Sequence, residues 1–179
     1  MQNIGRLSRV LILCAIAIIL GFALSFFLGY VPELGRHIPS ENLASEYVDA
    51  VFWMLGLTMF LIVIPLPAKI HNTVVIAWVI KASVTLVLML YYEYAYNLDA
   101  YWYYAQALKP EVPYSFSFGE GTRNITWLAW QVNDWLPMMS SYHALKIIWS
   151  FIGFIGILLA FIGYSNYTGK MSNKILWML

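Results

Sequence analysis

Cysteine pairs are the first feature that this sequence lacks. Cys14 is the only cysteine in 179 residues, and it lies inside an apolar run. No disulfide framework can form within one chain, and oxidoreductases that use paired thiols are excluded. Charge is also scarce, because only 11% of the residues are charged, against about 25% in a typical soluble domain. The net charge of +1 gives no indication of a nucleic-acid partner.

Metal-ligand spacing is absent as well. The histidines are His37, His71 and His143, and their separation along the chain matches no zinc-binding motif. The residue pattern by itself therefore predicts no metal site.

Long apolar runs dominate the sequence instead. Four of them are long enough to cross a membrane as single helices. These runs cover about 10–30, 49–66, 72–92 and 144–166. The first is longer than the hydrophobic region of a secretory signal, which has about 7–15 residues, so we expect it to be retained. The predicted fold class is all-α: one integral membrane domain over residues 1–179 with four transmembrane helices.

The acidic residues all fall on one side of this arrangement. Each of the nine lies between the first and second runs or between the third and fourth. The segments on the other side hold only basic charges: Arg6, Arg9, Lys69, Lys170 and Lys174. Positive charge near the ends of spans favours the cytoplasmic side. The sequence therefore predicts that both termini are inside and that the acids are at the outer face.

The segment 93–141 is predicted to be a long outer-face loop that contains short interfacial helices. Around its start, residues 91–104 (YYEYAYNLDAYWYY) include eight aromatic side chains. Tyrosine and tryptophan favour the level of the lipid head groups, so one interpretation is an aromatic belt. The other interpretation adds Asp99, whose carboxylate could act as a general base or bind a metal ion. Helical spacing would place Tyr103 on the same face as Asp99.

A glycine-bounded segment, FGEGTRN at 118–124, follows in the same loop. Backbone NH groups beside glycine, together with Arg123, could hold a phosphate. The alternative is a plain turn before a helix, which we predict at about 124–136. That helix carries Trp127, Trp130 and Trp135 and is expected to lie on the outer surface of the membrane.

Lys81 is the charged residue deepest in the predicted membrane. It lies near the middle of the third run, about 15 Å from either interface by helix rise. A lysine there costs about 2.5–3.5 kcal/mol on insertion scales, which favours a functional role. The alternative is a structural lysine that faces a polar seam with Ser83, Thr85 or Thr58. Asp49 at the outer end of the second run is one candidate partner, and another subunit is a second.

From Lys81 to Tyr164 the sequence resembles a known type of membrane protein. The shared features are Tyr91-Tyr92, Asp99-Ala100, Tyr103-Tyr104-Ala105, FGEGT at 118–122, Ser141-Tyr142 and WSFIGFIG at 149–156. They resemble the N-terminal part of polytopic bacterial membrane proteins of surface-polysaccharide biosynthesis. Those proteins look related to membrane glycosyltransferases of the GT-C fold and to polysaccharide polymerases. The resemblance implies the inner (plasma) membrane of a bacterium and substrates that are polyprenyl-phosphate-linked sugars at the outer face.

The resemblance also implies roles for individual residues. Asp99 would be the catalytic base or the ligand of a divalent metal ion. Arg123 and Lys146 would hold the lipid-linked phosphate. Tyr103 and Tyr104 would form the wall that receives the acceptor or the lipid. The chain would then be a membrane glycosyltransferase or polysaccharide-assembly protein, or an N-terminal fragment of a longer one.

Two functions of other classes are alternatives to a glycosyltransferase or polysaccharide-assembly protein. A non-catalytic subunit of a larger membrane complex would bury Lys81 against a partner and dock through the aromatic segment. A transporter or channel component would use Lys81 to line a polar path, although this lysine is the only charge at that depth.

Overall fold

The computed structural model of the chain describes residues 15, 18–38, 41–96, 99–109, 115–135 and 141–169. All regular secondary structure in these residues is helical, so the all-α prediction is confirmed for them. The elements are α1 (Ile18–Leu28), α2 (Val31–Leu34), α3 (Leu43–Val63), α4 (Ala68–Ser83), a π-helix (Val84–Leu88), α5 (Met89–Ala95), α6 (Asp99–Ala107), α7 (Gly121–Trp135) and α8 (Tyr142–Thr168).

Three helical segments of the described residues have the length and apolar character needed to cross a membrane. They are Leu43–Val63, Ala68–Glu93, which joins α4 to α5 through the π-helix, and Tyr142–Thr168. They overlap the second, third and fourth predicted spans. The first of these helices begins and ends earlier than predicted, and the other two extend beyond the predicted spans at both ends. The first predicted span, about 10–30, begins outside the described residues. The first span, and with it the total of four spans, and the placement of both termini inside therefore stay predictions.

Prolines separate α3 from α4. Ile64 adopts an extended conformation and ends α3, and Pro67 occupies the position before the first turn of α4. Proline has no backbone NH and cannot continue a helix that precedes it. The two helices therefore pack as an antiparallel hairpin, and the His71 ring lies 3.1 Å from the Leu61 carbonyl across it.

Trp78 joins the three long helices. Its side chain is fully buried, and its indole NH donates a hydrogen bond of 3.1 Å to the Thr58 hydroxyl on α3. Its ring meets Phe151 of α8 edge-on, with centroids 4.9 Å apart, and tilts against Phe154 at 5.7 Å. One side chain of α4 thus contacts both other helices.

The opposite end of the bundle from the hairpin carries the short helices. We call it the polar end: the start of α3, the end of α5 and the start of α8, covered by α6 and α7, which pack against each other. Ser141 fixes the start of α8, because its hydroxyl accepts from the Ala144 NH at 3.1 Å and donates to the Glu46 carbonyl at 2.6 Å. Two short helices therefore lie between the last two long ones, as the sequence predicts.

Replacement of Trp78 by alanine tests the three-helix contact. Trp78→Ala should lower the free energy of unfolding by about 3–5 kcal/mol, because it leaves a cavity where the helices meet. The measurement is an SDS unfolding titration in mixed micelles, followed by circular dichroism. Trp135→Ala is the matched control because Trp135 is 77% exposed, and it should change stability by less than about 0.5 kcal/mol. Equal losses in the two variants would contradict the packing.

Candidate functional site

The polar end contains a carboxylate that is almost completely shielded from solvent. Glu93 is 2% exposed. Its Oε1 accepts hydrogen bonds from the Lys146 ammonium at 2.7 Å and from the Tyr142 hydroxyl at 3.0 Å. The Lys146 side chain is itself 13% exposed. Removal of either partner from a buried ion pair of this kind strongly destabilises the fold, because the remaining charge would be buried alone.

Aromatic rings enclose this ion pair. The Lys146 ammonium lies 5.1 Å from the centroid of the Tyr142 ring, which is a cation–π distance. The rings of Tyr101 and Tyr104 also contact Tyr142, with centroids 5.3 and 5.7 Å away. Part of the aromatic segment therefore serves as an internal cover over the ion pair and positions α6.

The two α6 phenols are held in their neutral form. Burial raises the pKa of the Tyr104 hydroxyl well above its usual value, and the negative charge of Glu46 raises it further. The same two causes raise the pKa of Tyr101. Both hydroxyls therefore stay protonated to a higher pH than that of an exposed tyrosine.

Some buried polar atoms beside the ion pair have no hydrogen-bond partner among the described residues. They are the second carboxylate oxygen of Glu93, Oε2, and both ring nitrogens of His143. The His143 ring packs edge-on against Tyr47 of α3, with centroids 5.3 Å apart. Unpartnered buried groups are costly and uncommon. Glu93 therefore has unused acceptor capacity where it borders a cavity.

That cavity, which we call the acidic cleft, has a volume of about 360 Å³. It brings Glu93 together with Asp99, the first residue of α6, and with His37 from the segment before α3. Asp99 is exposed to solvent. The complete lining is His37, Ile38, Glu93, Tyr96, Asp99, Tyr101, Trp102 and Ala105.

A second cavity, the arginine cleft, lies between α6 and the start of α7 and has a volume of about 440 Å³. Arg123 donates hydrogen bonds to Glu120 at 3.3 Å and to the Ser115 hydroxyl at 3.4 Å. The two side chains of the Arg123–Glu120 pair are 48% and 51% exposed, so the pair is weak and can exchange with other ions. The lining is Trp102, Gln106, Glu120, Gly121, Thr122, Arg123 and Thr126.

Trp102 lines both clefts. It lies one helical turn after Asp99 on α6, so the carboxylate and the indole occupy the same side of that helix. The structure therefore places two predicted site residues, Asp99 and Arg123, in adjoining clefts with Trp102 as the common wall.

The other predicted site residues lie elsewhere. Tyr103, Tyr104 and Lys146 line a third cavity of about 100 Å³, together with Trp149. The Lys146 charge is already compensated by Glu93 at 2.7 Å. The predicted phosphate-binding role of Lys146 is therefore not needed to explain why this cation is present.

Sequence reasoning missed Glu93, because it placed this residue at the start of a loop instead of in the last turn of a long helix. A usable signal was present: Glu93 and Lys146 are opposite charges at the facing ends of the third and fourth apolar runs. Trp102 was also overlooked, because it stands in a segment where aromatic residues are common.

Lys81 is partly buried in the last turn of α4, directly before the π-helix. Its ammonium makes no hydrogen bond or ion pair with any residue in the described part of the chain. The Thr85 hydroxyl donates to the Lys81 carbonyl at 3.0 Å and lies 3.2 Å from the Ser150 hydroxyl. The Thr85 hydroxyl therefore contacts the backbone of Lys81 and not its charge, and a polar seam that faces the charge stays a prediction.

The divalent metal ion implied by the family resemblance lacks a ligand set in the residues that the structure describes. No group of three or more His, Cys, Asp or Glu side chains there is placed to hold a metal ion. His37, Glu93 and Asp99 share a cavity without forming a coordination sphere. We therefore derive no step through a metal.

Comparison with known proteins leaves the family open. No protein-family model, no curated protein and no solved structure matches this chain. Function is therefore inferred from the geometry and charges of the polar end.

Loss of one charge from the buried pair should destabilise the fold far more than loss of both. Lys146→Met leaves the Glu93 carboxylate buried alone and should lower the free energy of unfolding by about 3–5 kcal/mol. The double variant Glu93→Gln/Lys146→Met should recover most of that loss, because no charge stays buried. SDS unfolding titrations of the single and double variants measure the difference.

The exposed pair supplies the control for this comparison. Glu120→Gln removes one partner of Arg123 in a setting open to water, so the change should be at most about 1 kcal/mol. If Lys146→Met were no more costly than Glu120→Gln, the shielding of the Glu93–Lys146 pair would be refuted.

Proposed function

We propose that this chain acts on lipid-linked sugars at the outer face of a bacterial inner membrane. It would be a membrane glycosyltransferase or polysaccharide-assembly protein, or the N-terminal part of one. The observation that supports this most is the position of Trp102, which separates a cleft containing Asp99 from a cleft containing Arg123.

The two clefts suit the two parts of such a substrate. A sugar ring can stack its apolar face on the Trp102 indole, while the polar side chains around it bond to the hydroxyls. A phosphate can replace Glu120 as the partner of the Arg123 guanidinium through charge-assisted hydrogen bonds. The Glu120–Arg123 pair is half exposed, so this exchange requires no buried charge to be uncovered.

The surface around the clefts suits the membrane interface, where the head group of a lipid-linked sugar lies. Trp102, Phe116 and Phe118 are 53%, 62% and 99% exposed. Exposed aromatic side chains favour the head-group level of a bilayer. The polyprenyl chain would then remain in the bilayer beside the long helices while the phosphate and sugar reach the clefts.

Asp99 is the residue that we assign to proton transfer. In the proposed reaction the acceptor hydroxyl forms a bond to the anomeric carbon, and the bond from that carbon to the phosphate oxygen breaks. The Asp99 carboxylate takes the proton from the acceptor hydroxyl as a general base. Arg123 stabilises the negative charge that grows on the departing polyprenyl phosphate.

Asp99→Asn tests the catalytic assignment. It should lower the rate of sugar transfer at least about a hundredfold, because general-base catalysis contributes that much or more, while substrate binding stays within about threefold. The assay is transfer of radiolabelled sugar from a polyprenyl-phosphate donor by the full chain in nanodiscs. Asp134→Asn is the control, because Asp134 is exposed at the end of α7. Full activity of Asp99→Asn would refute the assignment and favour a non-catalytic subunit.

Binding tests the two clefts separately from catalysis. Trp102→Ala and Arg123→Gln should each weaken binding of a polyprenyl-phosphate hexose about tenfold, which is the loss of about 1.4 kcal/mol of stacking or of one charged hydrogen bond. Fluorescence titration in nanodiscs measures the Kd. Trp135→Ala, which removes an exposed indole outside both clefts, should bind as the unmodified chain does. Unchanged binding in both cleft variants would contradict the proposal.

A further inference from the structure

The acidic cleft is lined by the residue types that bind an organic cation. Its described lining contains three large aromatic side chains and two carboxylic acids, which are Tyr96, Tyr101, Trp102, Glu93 and Asp99. Neither lysine nor arginine is among the described residues that line it. The faces of aromatic rings attract cations, as carboxylates do. The combination therefore favours a ligand that carries an ammonium group.

Glu93 supplies a second, independent indication of a ligand. It is 2% exposed, and its Oε2 has no hydrogen-bond partner among the described residues. Its other oxygen, Oε1, bonds to Tyr142 and Lys146, and these two residues line the third cavity and not the acidic cleft. Oε1 is therefore directed to α8, and Oε2 remains for the cleft. A donor bound there would remove the cost of an unpartnered buried oxygen.

The charges around the acidic cleft are mainly negative. Lys146 compensates Glu93, but Asp99 makes no hydrogen bond or ion pair with its side chain in the part of the chain that the structure describes. Glu46 adds a further negative charge, which helps to raise the pKa of Tyr101. His37 is the one basic side chain among the described residues of the lining. This balance attracts cations and repels anions.

The arginine cleft beside it has the opposite preference. Arg123 and the start of α7 favour an anion there, and Trp102 is the wall between the two clefts. A ligand that occupies both clefts therefore needs a phosphate on one side of the indole and an ammonium group on the other. A sugar with a phosphate at its anomeric carbon and an amino group at another ring carbon has both, whereas a neutral hexose has only the first.

We propose that the acidic cleft selects an amino sugar, whose protonated amino group donates a hydrogen bond to Oε2 of Glu93 and faces the rings of Tyr96 and Tyr101. This inference rests on the proposed function and names the class of sugar in the lipid-linked donor. A sugar amine resembles an α-amino group, which is mostly protonated at neutral pH. Asp99, which is exposed, adds negative charge at the mouth of the cleft and stays free to accept the proton of the acceptor hydroxyl.

Three donors that differ at one ring position test the selection. They are glucose, glucosamine and N-acetylglucosamine, each linked to polyprenyl phosphate and titrated by fluorescence against the full chain in phosphatidylglycerol nanodiscs at neutral pH. The Kd for the glucosamine donor should be at least about tenfold lower than for the other two, because only its amine is charged. Equal Kd values that still depend on Trp102 and Arg123 would overturn this inference and leave the proposed function standing. Binding of none of the three would overturn both.

Two variants locate the amine within the cleft. Glu93→Gln/Lys146→Met, the double variant that leaves no charge buried, should reduce the preference for glucosamine over glucose to about threefold or less, because the hydrogen bond to the amine then lacks a charged acceptor. Tyr96→Leu should reduce the preference about threefold through loss of one cation–π contact. Tyr167→Leu is the matched control, because Tyr167 is 91% exposed and lies at the other end of α8. An unchanged preference in both cleft variants would overturn the inference.

A membrane phospholipid is the other source of a joined phosphate and ammonium group. Phosphatidylethanolamine, added to the nanodiscs at the same mole fraction as the glucosamine donor, should leave that donor bound, because it has no sugar ring to stack on Trp102. Displacement of the donor by phosphatidylethanolamine would assign the ammonium group to a membrane lipid and overturn the amino-sugar inference.

Discussion

The ion pair between Glu93 and Lys146 is the interaction on which the polar end depends. It joins the end of one long helix to the start of another at 2.7 Å, with the carboxylate almost completely shielded from solvent. Tyr142 bonds to the same carboxylate, and the tyrosines of α6 pack on Tyr142. The direction of α6, and with it the placement of Asp99 in its cleft, follows from this buried contact.

Three sets of charges in this chain differ in their surroundings, and their expected roles differ with them. The buried Glu93–Lys146 pair is satisfied within the chain, so it acts in folding. The exposed Glu120–Arg123 pair is weak and can give up its arginine to an anionic ligand. Asp49 and Lys81 lie within candidate spans, and their side chains make no hydrogen bond or ion pair in the part of the chain that the structure describes. Burial and depth, more than residue type, separate these roles.

The long helices could be predicted from the sequence because each is an apolar run of sufficient length, and length is what a bilayer requires. Their ends could not, because capping and turn geometry decide them: α4 begins at Ala68, directly after Pro67, and not at residue 72. Asp99 and Arg123 were recognisable as candidates by residue type. Their placement on two sides of Trp102 depends on how α6 packs against α7, which no local pattern encodes.

The central claim is that the polar end, with its two clefts, faces the outside of the membrane. Single cysteines in a Cys14→Ser background, introduced by Glu120→Cys at the polar end and Lys69→Cys at the hairpin end, test this in intact cells. Both positions are exposed. A membrane-impermeant maleimide should label the Glu120→Cys protein directly and the Lys69→Cys protein only after permeabilisation. The reverse pattern would place the clefts in the cytoplasm and contradict the account.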